Sequence, residues 1–419
     1  MLNCIGLKIM KYFLVIDQGT SSTRAILFDE NFCLVELSQT EFKQFFPKDG
    51  WVEHDANEIF DTVIHCINDV MKKSGTTHNE IISIGITNQR ETCLLWDKDG
   101  TPYGKAIVWQ DRRTAEVCNN LKQQGLEGEI NQLTGLLADP YFSGTKLSWM
   151  LEKAGKRKDL FMGTIDTFLI WKLTEGKSYF MDATNASRTL LMDIRNISWS
   201  DDMCNLLKIP IEKLPEIKNS ADDFGETSLF GGKIKISGVA GDQQAALFGQ
   251  GCFEEGEAKS TYGTGCFMML NTGSKIKLSK SNLLTTVGYR IGGKVTYALE
   301  GSIFMAGASV QWLRDNLGFF NTSPEIESLA KKSNKNSNVF FIPAFTGLGA
   351  PYWDPEARGA IFGLSRETTK DDISQALLEA ITFQTKDVFD CMSSDGVDLK
   401  SLKIDGGMVE NRYFDQILA

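Results

Sequence analysis

Histidine is scarce in this chain: His54, His65 and His78 are the only three in 419 residues. That leaves too little imidazole for a histidine-rich metal centre. The nine cysteines, at positions 4, 33, 66, 93, 118, 204, 252, 266 and 391, never come closer than fourteen residues in sequence. No CxxC zinc pair therefore exists, and an odd, dispersed set reads as reduced, buried thiols of a cytoplasmic protein. Long apolar runs are also missing. Nothing approaches the ~18 residues of a membrane span. The fairly apolar stretch Met1–Ile16 is broken by Lys8 and Lys11 and has no small-residue cleavage site after it. Positive charge is in deficit: 44 Lys and Arg against 54 Asp and Glu give a net charge of −10. Such a balance argues against a grip on a nucleic-acid backbone, and any anionic ligand must be held by a local site.

What is present suits a globular chain of more than one domain. The 419 residues exceed one ordinary domain, and 42% hydrophobic with 23% charged residues can fill two cores. Tyr12–Ile16 and the run from Ala25 read as strands joined by a small-polar turn. Asp55–Lys72 reads as a helix opened by an Asp55/Glu58 capping box, with Phe60, Val63, Ile67, Val70 and Met71 as its apolar stripe. His65 falls on the opposite, solvated side. Ile81–Thr87 reads as a buried strand feeding the polar loop Asn88–Thr92. Ile236–Ala240 is a strand that turns through Gly241–Gln244 into a small-residue helix. Lys259–Leu270 repeats the first hairpin in plan, Lys331–Asn338 is a solvated polar tract, and Asp371–Met392 has helical spacing. Alternating strands and helices predict an α/β class with two related domains. Met10 reads as the natural start after an upstream extension. The expected organisation is an extension at 1–10, a first domain at 11–253 and a second at 254–419.

Five motifs carry chemistry. In Asp17-Gln18-Gly19-Thr20-Ser21-Ser22-Thr23-Arg24, glycine lets a ligand approach the backbone. Hydroxyls and N–H groups of Thr20, Ser21 and Ser22 can surround phosphate oxygens, with Arg24 adding charge. Asp17 at the strand end could hold Mg²⁺ through water. The loop lacks the GxxxxGK[ST] pattern and equally fits an ordinary hairpin turn. Thr261–Gly265 is a second loop of the same kind, with the same alternative. Asp242 stands at a helix start, as an N-cap or as a general base near a phosphate site. Arg90-Glu91 reads either as a surface ion pair or as a polyol clamp, Arg donating to hydroxyl oxygens and Glu accepting from hydroxyl hydrogens. Trp109, Tyr141 and Phe267 could wall such a pocket or simply fill core. Asp405-Gly406-Gly407 through Asn411 is a glycine turn after a strand, open enough for a flat ring to lie on it.

Together, these stretches resemble the FGGY carbohydrate-kinase family, in its glycerol-phosphorylating branch. The resemblance rests on DQGTSSTRA, GWVEHD, IGITNQRET, AIVWQDRRTAE, DPYFSGTK, TNASRT, AGDQQAALFGQ, TYGTGCFM, ALEGSIFMAGASVQWLRD and PAFTGLGAPYWDP, from about Lys11 to the last residue. ITNQRE and PYFSGTK resemble the glycerol members rather than the xylulose or gluconate kinases. The resemblance implies an actin-like (ribonuclease-H-like) ATPase fold, two α/β domains about a central cleft. It implies ATP and Mg²⁺ as cofactors, and transfer of the γ-phosphoryl group to glycerol. Thr20, Ser21, Ser22 and Arg24 match the first phosphate loop, and Asp17 the metal-facing aspartate. Arg90, Glu91, Trp109, Tyr141, Asp242, Gln243 and Phe267 match the glycerol pocket, with Asp242 as general base. Thr264, Gly307, Gln311, Gly407 and Asn411 match nucleotide contacts.

Two departures from the family pattern are expected to matter. The stretch matching a basic fructose 1,6-bisphosphate loop, Leu229–Ile236, is shorter and has no arginine, and no histidine follows His78. Inhibition by that sugar and a phosphohistidine switch are therefore expected to be absent. Relatives continue past the Asp405-Gly406-Gly407 motif, so the second domain is expected to be C-terminally truncated. The partners implied are glycerol and ATP/ADP, with neither nucleic acid nor membrane, and a homo-oligomer of two or four chains. Another polyol or sugar kinase of the family, an inactive fragment and a non-catalytic binding protein remain as alternatives.

Overall fold

The computed structural model describes residues 10–155, 157, 159–333, 337–354 and 356–419. Residues 1–9 of the expected extension, and 334–336 of the polar tract, lie outside the described residues. The chain divides into two compact units: the first runs up to Ala245 and regains Tyr289–Val295, and the second comprises Ala246–Gly288 and Thr296–Ala419.

The first unit is built on a six-stranded sheet. Its order is Glu226–Thr227, Ile234–Gly241, Ile81–Asn88, Tyr12–Gln18, Ser22–Asp29, Leu34–Glu41. Tyr12–Gln18 pairs antiparallel with Ser22–Asp29 and parallel with Ile81–Asn88, which in turn runs parallel to Ile234–Gly241. Period-2 alternation buries Tyr12, Leu14, Ile16 and Gln18 on one face. Helix Ala56–Ser74 packs on the sheet through Ile59, Val63, Cys66, Ile67 and Val70. Phe60 and Met71 lie at the edge of that buried stripe, and His65 is exposed as expected. Asp55 does cap the helix, accepting from Asn57 N and Glu58 N. The reciprocal half of the expected capping box is not formed, because Glu58 Oε1 accepts from Lys43 N at 3.0 Å instead.

Register explains where chemistry can collect. Gln18 and Gly241 both stand opposite Asn88, so three parallel strands end side by side. Their C-terminal ends deliver the Gly19–Ser21 loop, the Gln89–Glu91 loop and the Asp242 turn to one edge, the usual ligand side of such sheets.

The second unit carries a five-stranded sheet in the order Leu284–Ile291, Lys294–Ile303, Cys266–Gly273, Glu257–Tyr262, Ser401–Asp405. Glu257–Tyr262 pairs antiparallel with Cys266–Gly273, forming the expected second hairpin, and parallel with Ser401–Asp405. Helix Lys370–Ser394 covers the sheet, with Leu377, Leu378, Ile381 and Val388 in a shared core. Packing is close enough that a Cβ on Gly301 would meet Val388 Cγ1 at 2.3 Å.

The expected truncated second domain is not supported. The unit owns a continuous core, and its last helix, Arg412–Leu418, is capped by Asn411 and buries Phe414 in that core. Phe414 stacks edge-on against Tyr262 with centroids 5.0 Å apart. Apolar periodicity at Phe414, Ile417 and Leu418 turns that helix inward rather than leaving it unpacked.

Candidate active site

The first unit places Asp17 and Arg24 as cross-strand partners, so the hairpin itself brings Arg24 Nη1 to 3.2 Å from Asp17 Oδ2. Burial holds the Asp17 carboxyl above the usual range, with Arg24 pulling the other way. The turn between them is closed by Gly19 N donating to Ser22 O at 3.0 Å. Ser21 is exposed, while Ser22 is buried and its Oγ accepts from Gln39 Nε2 at 3.0 Å. Thr20 Oγ1 accepts from Trp109 Nε1 at 3.0 Å, which ties the loop to the aromatic wall.

Arg90 is the centre of the second group and is only 2% exposed. Its Nη2 donates to Tyr141 OH at 3.1 Å and its Nη1 to Gln244 Oε1 at 3.3 Å. Its Nε lies 3.4 Å from Asp242 Oδ1 and 3.8 Å from Glu91 Oε1. Glu91 Oε1 is met far more closely by Arg188 Nε, at 2.6 Å. Glu91 also has a left-handed φ of 59°, and Thr92 N donates to Arg90 O at 2.6 Å around it. A non-glycine residue held so costs on the order of 1–3 kcal/mol and persists only where its surroundings over-determine it. Trp109 and Tyr141 stand edge to face, centroids 5.7 Å apart. Lys146, fully buried with its pKa lowered by desolvation, fixes this wall by donating to Tyr141 O at 2.5 Å.

Asp242 opens helix Asp242–Gly249 as its first residue, and Oδ1 accepts from Gln243 N at 2.7 Å. Gly241 precedes it for a steric reason: a Cβ there would sit 2.7 Å from Arg90 Cγ and Cδ.

In the second unit, Thr264, Gly307, Gln311, Gly407 and Asn411 all line one cavity of about 420 Å³. Val310, Ile326, Leu378 and Met408 supply its apolar walls. Gly307 N donates to Gly263 O at 2.9 Å, and a Cβ on Gly307 would come within 2.6 Å of that oxygen. Gly406 turns the chain with a φ of 97° against Tyr262 O, an approach only glycine permits. Asn411 spends Oδ1 on the Phe414 N–H of its helix.

The structure thus brings together Arg90, Glu91, Trp109, Tyr141 and Asp242, with Gln243 next to Asp242 and the Asp17–Arg24 loop reached through Trp109. Phe267 belongs to the second unit, on strand Cys266–Gly273. Sequence reasoning missed Gln244, Lys146 and Arg188. A charged residue inside an otherwise small or apolar stretch, as in Ser143–Leu147 and Ala183–Leu190, was the signal available.

Among the described residues no group of three or more His, Cys, Asp or Glu could hold a metal ion, and no helix is long and apolar enough to cross a membrane. The described cysteines are free thiols.

The model of the FGGY family of carbohydrate kinases matches twice, its N-terminal domain at residues 12–249 and its C-terminal domain at 258–419. The chain is 54% identical to a glycerol kinase of Rhizobium meliloti, covering 97% of this chain and 84% of that one. It is 52% identical to a glycerol kinase of Oceanobacillus iheyensis, covering 97% and 83%. A crystal structure of Plasmodium falciparum glycerol kinase with ADP superposes with a TM-score of 0.91 at 39% identity, covering 98% of this chain and 84% of that one. A gluconate kinase from Lactobacillus acidophilus, at 23% identity and a TM-score of 0.89, shares the fold. With both domain models matched, a truncated second domain again finds no support. The chain belongs to the FGGY family of carbohydrate kinases.

Proposed function

We propose that this chain transfers the γ-phosphoryl group of ATP to glycerol, giving sn-glycerol 3-phosphate and ADP. One observation carries the reading: relatives at 52% and 54% identity are glycerol kinases, and Glu91, Tyr141 and Asp242, all matched to a polyol pocket, gather around the buried Arg90. In this reading Arg90 donates to polyol oxygens and Glu91 accepts from polyol hydroxyls. Trp109 and Tyr141 cover the C–H faces, and Gln243 completes the pocket. Asp242 takes the proton of the attacking hydroxyl as that oxygen bonds to the γ-phosphorus, and the bond to the ADP oxygen breaks. Arg90 beside it orients the carboxylate toward the substrate. Thr20, Ser21, Ser22 and Arg24 serve the phosphates; the Ser22 oxygen accepts from Gln39, which leaves its O–H free to donate. Thr264, Gly307, Gln311, Gly407 and Asn411 serve the nucleotide in the 420 Å³ cavity.

The donor set fits Mg²⁺. Asp17 is a single carboxylate at a strand end, and Mg²⁺ is ordinarily held by one or two carboxylates, waters and substrate phosphates rather than by a protein cage. When bound, the ion offsets charge on the transferring phosphoryl group. The reading includes a cytoplasmic location and a homo-oligomer of two or four chains, the latter checked by light scattering.

The test is ADP release from ATP across a panel of glycerol, xylulose, gluconate and no acceptor. Glycerol should exceed the other acceptors by orders of magnitude in kcat/KM. A different preferred acceptor would replace glycerol with another family substrate, and no acceptor-dependent release would refute the kinase reading.

A further inference from the structure

The stretch Thr184–Thr189 has no role in the mechanism above, yet it is anchored to both arms of the polyol cluster. Asp182 caps the short helix Ala183–Ala186, accepting from Thr184 N at 2.9 Å and Asn185 N at 3.0 Å. Thr184 Oγ1 accepts from Gly241 N at 2.9 Å, the residue before Asp242. Asn185 and Asn88 exchange reciprocal side-chain amide bonds, each 3.0 Å, at the end of the strand that delivers Arg90 and Glu91. All of these side chains are buried. The segment then runs on to Arg188, which is 0% exposed and places its guanidinium between Glu91 and the rings of Tyr141 and Phe142, 5.5 and 5.2 Å away.

We propose that Arg188 is a positioning residue for polyol specificity: it sets the Glu91 carboxylate in the orientation that reads a substrate hydroxyl. The inference rests on the proposed function and deepens it at the same site. Arg188 Nε reaches Glu91 Oε1 at 2.6 Å, well within hydrogen-bond range, while Arg90 Nε stands 3.8 Å from the same oxygen. The backbone of Glu91 is held separately, with Ser143 Oγ donating to Glu91 O at 3.1 Å. Arg188 acts on the side chain, through its contact with Oε1. Arginine suits the task because it stays charged when buried and presents its N–H groups in a rigid plane, while a buried lysine readily loses its proton.

The experiment compares wild type, Arg188→Gln and Arg188→Lys by thermal melting and by steady-state kinetics with glycerol, 1,2-propanediol and ATP. Arg188→Gln should raise the glycerol KM roughly 30- to 100-fold, the usual consequence of removing one partner of a buried charge pair. The ATP KM should stay within about threefold. Preference for glycerol over the diol should fall about tenfold, since a hydroxyl is no longer read. Arg188→Lys should recover part of both. A folded Arg188→Gln with unchanged glycerol KM and preference overturns the proposal, and so does an equal fall in turnover on both acceptors with KM unmoved. If Arg188→Gln does not fold, Arg188→Lys decides: a raised glycerol KM at constant ATP KM supports the assignment, and two unchanged constants overturn it. A wild type with no glycerol-dependent ADP release refutes the proposed function and this assignment with it. An active wild type with unmoved variants refutes the assignment alone.

Discussion

Gly241→Ala is a one-carbon perturbation aimed at Arg90. Gly241 has no left-handed φ, so alanine's backbone is permitted there and the effect is purely steric. The added Cβ would stand 2.7 Å from Arg90 Cγ and Cδ and 3.0 Å from Gln244 Oε1. Carbon pairs prefer about 3.5–4.0 Å, so something must move by roughly 1 Å. Arg90 cannot swing outward, being pinned by Tyr141 OH at 3.1 Å, Gln244 at 3.3 Å and Asp242 at 3.4 Å. Overpacking of this kind costs about 1–3 kcal/mol of stability. A displacement of ~1 Å in a substrate-positioning group lowers kcat/KM by about 10²-fold. Thermal melting and glycerol kinetics at saturating ATP measure both effects, and the ATP KM should stay near wild type. Gly249→Ala is the control. It is the last residue of the helix that Gly241 precedes, with nothing within 4 Å of an added Cβ. It should keep full activity and change stability by no more than about 0.5 kcal/mol, as a substitution into open space at a helix end. A Gly241→Ala enzyme within threefold of wild type in glycerol kcat/KM would refute the packing argument.

Other predictions follow from single groups. Burial, with Asp182 adding to it against the Thr164 hydrogen bond, pushes Asp166 up to about 7. A carboxyl whose pKa is raised on folding stabilises fully below its unfolded value and loses that contribution as pH rises through 7. Asp166→Asn lacks this component, so its melting temperature relative to wild type should climb between pH 5 and pH 8; a constant difference would contradict the assignment. Gly307→Ala would drive a Cβ to 2.6 Å from Gly263 O in the cavity wall. It should raise the ATP KM at least about tenfold, by the same steric logic, with the glycerol KM unmoved; the reverse pattern would dissociate the cavity from the nucleotide. Fructose 1,6-bisphosphate should leave activity unchanged, because Leu229–Ile236 carries no arginine; potent inhibition in a titration would overturn this.

Strand periodicity and glycine turns made both hairpins readable in advance, because each is a local pattern of adjacent residues. The parallel register that sets Gln18 and Gly241 opposite Asn88 was not readable, since pairing between distant strands leaves no local mark. The same holds for Arg188 and Glu91, 97 residues apart. The small and apolar neighbours of Arg188 mark a buried charge but not its partner, although both residues lie in stretches that resemble the family. Local rules also misjudged competition. Asp55 and Glu58 have capping-box spacing, but Lys43 N offered Glu58 another partner. Ser22 looked like a free loop hydroxyl until strand pairing brought Gln39 to it. The burial of Phe414 was not readable either, because that side chain packs in a core built around Tyr262, far away in sequence.

The central claim is that this chain phosphorylates glycerol with Asp242 as the base. Its most direct test is glycerol-dependent ADP release, with the product identified by mass spectrometry, for wild type beside Asp242→Asn. The account predicts glycerol 3-phosphate from wild type. It predicts a loss of about 10²–10⁴-fold in kcat for the variant, the usual worth of a general base, with ATP affinity nearly unchanged. Turnover by Asp242→Asn near the wild-type rate, or no glycerol 3-phosphate from wild type, would contradict it.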